Sequence, residues 1–213
     1  MTDASPAPTT TIYIVDDDAS FLRSVSRLLR AVGYPVETFM SAQDFLDRLD
    51  STMTGCVVSD LQMPELDGME LQAALSRTAN PLPVIFLTGQ GDIPTTVRAI
   101  QGGAVDFLMK IAPKEKLLDA IERALERDRR ERETRVRQRD LRGQFSELSE
   151  REMEVLGHVV RGRMNKEIAA DLDINLRTVK LHRTNITRKL KVQSVAELTR
   201  LADEAGLFRT PKK

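Results

Sequence analysis

The run "IYIVDDDASF" at residues 12–21 decides the fold. Ile12, Tyr13, Ile14 and Val15 make a short unbroken apolar stretch, the pattern of a strand buried on both faces. The stretch ends on three carboxylates, Asp16, Asp17 and Asp18. Two carboxylates about 4 Å apart repel by roughly 4 kcal/mol at an effective dielectric near 20. Either the three side chains point to different places, or something cationic sits among them.

Outward from this run, the first half of the chain repeats one unit. Strand-like stretches fall at "TIYIVD" (11–16), "VETF" (36–39), "CVVSD" (56–60), "PVIFLT" (83–88) and "AVDFLM" (104–109). Helical patterns lie between them near 19–32, 42–50, 67–77 and 94–101, and a fifth begins near Pro113. Five strand–helix units in series predict an α/β fold, a doubly wound five-stranded parallel sheet with helices on both faces. Ligands of such sheets bind beyond the carboxyl ends of the strands, at the topological switch point. Polar residues stand there: Asp16 and Asp17 after the first strand, Asp60 after the third, Thr88 after the fourth and Lys110 after the fifth.

From Pro113 to about Arg142 the chain has no internal Gly or Pro. Leu117, Leu118, Ile121 and Leu125 give an apolar stripe at helical spacing, and the charged run "ERDRRERETRVRQRD" follows. Opposite charges three or four residues apart support a solvated helix. The expectation is a long linker helix that Gly143 ends, with Asp128, Arg132 and Arg135 interrupting any coiled-coil seam. The remainder predicts four helices, at 149–162, 165–172, 176–190 and 195–206. Ser149 with Glu152 makes a capping-box pattern, and Asn175 is the expected cap of the third. The domain organisation is thus a tail (1–10), an α/β domain (11–126), a helical linker (127–145), an all-α four-helix domain (146–208) and a tail (209–213).

The net charge of zero hides a polarity: −7 over residues 1–121, +3 over 122–145 and +4 over 146–213. An acidic front and a basic back point to two domains with different partners, the basic one suited to nucleic acid. No apolar run nears the ~20 residues of a membrane span, and the N-terminus lacks the basic and apolar regions of a secretion signal. Cys56 stands alone in a strand, as a structural thiol of a reducing compartment would. A cytoplasmic protein with no membrane partner is expected.

Asp16, Asp17 and Asp60 together make an acidic pocket. Carboxylate oxygens plus water suit Mg²⁺, which keeps several waters and needs few protein ligands. A divalent cation would relieve the repulsion and polarise an incoming phosphoryl group. Asp60 is then a carboxylate nucleophile able to form an aspartyl phosphate. Thr88 and Lys110 would hold the phosphoryl oxygens. Asp18, just before "ASFLRSV", reads as a helix N-cap.

"IVDDD", "VVSDLQMPELDGMEL", "VIFLTGQGD" and "GAVDFLMK" resemble the receiver domain of two-component response regulators, over about residues 11–126. The resemblance implies a CheY-like fold and phosphorylation of Asp60 by a sensor histidine kinase. It also implies Mg²⁺ held by Asp17, Asp60 and the backbone carbonyl of Gln62, with Asp16 acting directly or through a water. Thr88 and Phe107 would be the switch residues, and Gln62 and Gln90 would flank the phosphoryl site. The family usually has Pro after the lysine, in a cis bond; here Ile111 follows Lys110. A non-proline cis bond costs ~3 kcal/mol. A trans Lys110–Ile111 bond, or a strained cis one, is therefore expected, with a rearranged loop and an altered reach for Lys110.

In the second half, a short helix, a brief turn and a longer basic helix form a helix-turn-helix arrangement. Arg177, Lys180, His182, Arg183, Arg188 and Lys189 lie on the longer helix. "NKEIA" and "TVKLHRTNI" make residues 146–205 resemble the LuxR/NarL-type DNA-binding domain. The resemblance implies that Lys180, Leu181 and Thr184 face bases, while Lys166, Thr178, Arg183 and Arg188 face the backbone. Both halves together resemble the FixJ branch of response regulators. The implied function is a transcription factor controlled by phosphorylation rather than an enzyme. Its implied partners are a sensor histidine kinase, promoter DNA, RNA polymerase and, on activation, a second copy. A DNA-binding regulator with a phosphorylation-independent receiver is the alternative; a small-molecule phosphotransferase would need a substrate cap that the sequence does not offer.

Overall fold

The computed structural model describes residues 10–89 and 93–208. Gln90 and the expected tails, apart from Thr10, lie outside the described residues. The chain divides into two compact units, Met1–Arg132 and Glu133–Lys213.

In the first unit, β1 (Thr11–Val15), β2 (Val36–Phe39), β3 (Gly55–Ser59), β4 (Val84–Thr88) and β5 (Asp106–Met109) form one parallel sheet in the order β2-β1-β3-β4-β5. The period-2 alternation of a strand divides its side chains between two cores. Ile12 and Ile14 pack with α1 (Ala19–Val32) and the start of α5 (Lys114–Phe145), around Leu22, Leu29, Leu117 and Ile121. Tyr13 and Val15 face the opposite core, which takes Phe45 from α2 (Ala42–Arg48), Leu71 and Leu75 from α3 (Gly68–Ser76) and Ala99 from α4 (Ile93–Gln101). Strand order reverses where β1 lies between β2 and β3. Val15 pairs with Ser59 in register, so Asp16 and Asp60 leave the sheet side by side.

The long helix departs from expectation in two places. It runs through Gly143 to Phe145. A helical glycine costs about 1 kcal/mol, whereas burying a Leu or Phe side chain gains roughly 1.5–3 kcal/mol each. Leu141 and Phe145 are both buried in the core of the second unit, which outweighs the glycine. Asp128, expected among solvated charges, is fully buried. Its Oδ2 accepts the Gly55 N–H at 3.0 Å and pairs with Arg132 Nε at 3.0 Å. Gly55 starts β3 at φ +130°, and a Cβ there would fall 1.8 Å from the Thr11 carbonyl oxygen. A side chain from α5 thus satisfies the backbone donor of the first residue of β3.

In the second unit, α6 (Glu150–Val160), α7 (Asn165–Asp171), α8 (Leu176–Lys189) and α9 (Val195–Glu204) surround Val155, Leu156, Ile168, Val179, Ile186 and Leu198. The expected caps are present. Ser149 and Glu152 satisfy each other's backbone N–H groups, and Asn175 accepts from the Thr178 N–H. Each such cap is worth about 1 kcal/mol.

Candidate functional site

The three aspartates of the opening run do point to different places. Asp18 caps α1, its Oδ1 accepting from the Ser20 N–H at 2.8 Å and the Phe21 N–H at 3.2 Å. Asp16 turns inward, 1% exposed, and its Oδ1 accepts the Asp18 N–H at 2.9 Å. Asp17 is exposed. Asp16, Asp17 and Asp60 each present a carboxylate oxygen within 4.8 Å of the others. These donors are all hard oxygens and one acid is open to water, which fits a partly hydrated Mg²⁺.

Asp60 follows β3 and is 8% exposed. Its N–H donates to the Val15 carbonyl at 2.8 Å, tying it to β1. Its Oδ1 accepts the Leu61 N–H at 2.6 Å, and its Oδ2 pairs with Lys110 Nζ at 2.8 Å. The same ammonium lies 2.6 Å from Asp16 Oδ2. Lys110 is thus brought onto both buried acids. No described peptide bond is cis, so the Lys110–Ile111 bond is trans. The side chain reaches the pocket even so, because the Lys110 N–H donates to the Thr88 carbonyl at 2.8 Å and sets where the side chain begins.

The electrostatics follow from this crowding. Burial pushes the Asp16 carboxyl above the usual range, against the opposing hydrogen bond from Lys110. Burial alone would lower the Lys110 ammonium; the hydrogen bonds it donates to Asp16 and Asp60 outweigh this and hold Lys110 above its ordinary value. Two buried acids sharing one ammonium leave a net negative site, which favours a further cation.

Thr88, the last residue of β4, is buried. Phe107 on β5 packs against the Phe86 ring, centroids 6.2 Å apart. Gln62 is exposed, and its N–H lies 3.4 Å from Asp60 Oδ1. Gly68 is a residue whose role here was not read from sequence: a Cβ on it would stand 2.4 Å from the Asp60 carbonyl oxygen and 2.9 Å from the Phe86 ring. Phe21 is another. Its ring face lies 4.4 Å from Lys110 Nζ.

On α8, Val179 and Ile186 are buried, while Lys180, Leu181, Thr184 and Arg188 share the opposite, exposed face at spacings of three and four residues. Leu181 is 58% exposed. Arg183 is half-buried, its guanidinium donating to Asn165 Oδ1 at 2.6 Å, and Thr178 donates to the capping Asn175 at 3.0 Å. Lys166 is exposed on α7. The structure therefore places the seven residues together on or beside α8 and α7. A basic cleft between these helices is lined by Lys166, Lys180 and Arg183 over apolar Leu176 and Val195. His158 sits 3.4 Å from Asp171 and links α6 to α7.

Residues 12–122 match the response regulator receiver domain, and residues 146–202 match the bacterial regulatory proteins of the luxR family. The response regulator protein TodT of Pseudomonas putida is 43% identical over 192 residues, covering 90% of this chain and 85% of its own. The transcriptional regulatory protein FixJ of Bradyrhizobium diazoefficiens is 39% identical over 197 residues, covering 92% and 96%. Among solved structures, the response regulator StyR superposes with a TM-score of 0.73 at 43% identity, over 92% of this chain and 99% of that one. Full-length FixJ from B. japonicum gives 0.57 at 38% identity, over 94% and 98%. The chain belongs to the FixJ branch of two-component response regulators, transcription factors in which phosphorylation of a receiver controls a LuxR-type DNA-binding domain.

Proposed function

We propose that Asp60 is the phosphoacceptor and that Lys110 and Thr88 receive the phosphoryl oxygens. The observation that carries this is the Lys110 ammonium set between Asp16 and Asp60, at 2.6 and 2.8 Å. Asp60 Oδ2 attacks the phosphorus of a phosphohistidine on the kinase. An O–P bond forms as the N–P bond breaks, and the electron pair stays on the imidazole. Lys110 then exchanges a carboxylate for the phosphoryl oxygens. Asp16, Asp17, Asp60 and the Gln62 carbonyl would hold Mg²⁺, which when bound neutralises charge on the transferring group.

The phosphoryl group would bias the positions of Thr88 and Phe107, and so the surface of α4, β5 and α5. Ile93, Val97, Ile100 and Met109 are exposed there, an apolar surface suited to a second copy on activation. A dimer would present two α8 helices to half-sites about one turn apart. Lys180, Leu181 and Thr184 would read bases, while Lys166, Thr178, Arg183 and Arg188 hold phosphates at a promoter where RNA polymerase is controlled. No helix among the described residues is long and apolar enough to cross a membrane. Promoter DNA as the partner of α8 makes the cytoplasm the site of action.

The test is incubation of the full chain with acetyl phosphate and Mg²⁺, read by phosphate-affinity gel. The wild type shifts and Asp60→Asn does not. A wild type that shifts with no donor, purified kinase included, overturns the assignment. A reporter regulated equally well by Asp60→Ala would establish the phosphorylation-independent alternative.

A further inference from the structure

Lys110 has a third partner besides its two carboxylates. Its ammonium lies 4.4 Å from the centroid of the Phe21 ring, inside the range of cation–π attraction. The ring is placed by the opening run itself. Asp16 Oδ1 accepts the Asp18 N–H at 2.9 Å, and Asp18 Oδ1 accepts the Phe21 N–H at 3.2 Å. Phe21 also packs at the edge of the core formed by α1 and α5. So Asp16 binds Lys110 with one oxygen and, through Asp18, helps set the ring that faces the same ammonium with the other. Past Lys110 the chain gives no comparable hold, since Ile111 is 89% exposed.

The two kinds of partner respond differently to a cation. A divalent ion on Asp16 and Asp60 weakens their pull on the ammonium. A neutral ring keeps its quadrupole, and its pull, whether or not the acids are engaged. Lys110 is a flexible four-carbon chain that would otherwise gain rotamer freedom when released.

We propose that Phe21 is a positioning residue whose ring face holds the Lys110 ammonium at the acceptor when a divalent cation engages the carboxylates. This deepens, and rests on, the reading of Asp60 as phosphoacceptor. Leu at position 21 keeps apolar packing and removes the π face, while Tyr keeps both. Cation–π attraction at a partly exposed site corresponds to about a two- to fivefold effect.

Two measurements on the full chain test it. In NMR, the Lys110 ε-methylene protons of the wild type are expected upfield by ring current, both free and at saturating Mg²⁺; Phe21→Leu loses the displacement. In phosphorylation by acetyl phosphate at saturating Mg²⁺, Phe21→Leu is expected to be about two- to fivefold slower. Phe21→Tyr matches the wild type, and the Mg²⁺ concentration at half-maximal rate is the same in all three. Loss of the wild-type displacement on adding Mg²⁺ overturns the proposal. So does a Leu variant as fast as the wild type, or a Tyr variant as slow as Leu. If the wild type accepts no phosphoryl group, the Asp60 assignment fails by itself, and the ring-current measurement still decides whether Phe21 holds Lys110 in the presence of Mg²⁺.

Discussion

The receiver pocket and the exposed face of α8 use charge in opposite ways. In the pocket, Asp16 and Asp60 are buried and share one ammonium, and backbone N–H groups of Asp18 and Leu61 hold their other oxygens. On α8, Lys180 and Arg188 stand in solvent, and Leu181 stands beside them. The first arrangement suits a covalent step, which needs fixed atoms and low dielectric. The second suits phosphate binding, where affinity adds up over many exposed contacts. A pocket of that kind has no slack, so single changes in it are costly; an open face degrades by degrees.

The most sensitive point of the pocket carries no charge. Gly68 lets α3 start against the Asp60 carbonyl and the Phe86 ring, and a Cβ there meets backbone at 2.4 Å. Gly68→Ala is expected to cost about 2–3 kcal/mol, the upper range of overpacking. It should also slow phosphorylation of Asp60. Urea denaturation and the acetyl phosphate assay check the two effects. A variant of unchanged stability would mean that the pocket yields as readily as the open face.

The fold was legible in the sequence because its signals were local. Strand runs, caps and the strand-end polar residues each speak for themselves, and the order of the units implied the sheet. Asp18 as a cap was readable from the helix pattern that follows it. Three features were not readable, for related reasons. Gly68 matters through a neighbour, Phe86, that only the sheet brings near. Asp128 looked like one more charge in a solvated run, because its partner, Gly55, lies 73 positions away. Phe21 carries no local mark, since the approach of Lys110 depends on how β5 ends beside β4. Gly143 misled in the opposite sense. Local propensity argued for a stop, and burial of Leu141 and Phe145 overrode it.

The helical unit has one place that breaks its resemblance to an open face. Glu152 is buried at the start of α6, where it accepts from the Ser149 N–H and pairs with Lys189 of α8 at 2.7 Å. Burial alone would raise its carboxyl; the hydrogen bond from Lys189, that from Ser149 and the lysine's charge outweigh it and hold Glu152 below its ordinary value. The pair's contribution is therefore complete above the unfolded carboxylate range, near 4.3. It is lost as pH falls through the lower, folded value. Glu152→Gln is expected to cost about 2 kcal/mol at neutral pH, less than a fully buried pair because Lys189 is partly exposed. The wild-type advantage should shrink below about pH 4. Urea titrations at pH 7 and pH 3.5 measure both, and a pH-independent gap would rule out the ion pair as its cause.

Back in the pocket, Lys110 occupies the two acids that would hold a metal. Lys110→Ala is expected to tighten Mg²⁺ binding about tenfold, roughly 1.4 kcal/mol, while slowing phosphorylation. Calorimetric titration with Mg²⁺ reads the first effect. Weaker binding in the variant would show that the ammonium organises the acids for the metal instead of competing with it.

The smallest effect belongs to the open face, and it tests the contrast most directly. Arg188 is exposed at the end of α8, with a 3.4 Å contact to Asn185. If it neutralises one phosphate, Arg188→Ala should weaken binding to every DNA sequence by the same few-fold factor. It should also lower the slope of log affinity against log salt by about 0.9. Leu181→Ala, in contrast, should leave that slope unchanged and relax discrimination at one base position, because an apolar side chain releases no counterion. Fluorescence anisotropy on specific and scrambled duplexes across a salt series measures all of this. An Arg188→Ala defect confined to one sequence would place Arg188 against a base edge and make this face less tolerant than the contrast requires.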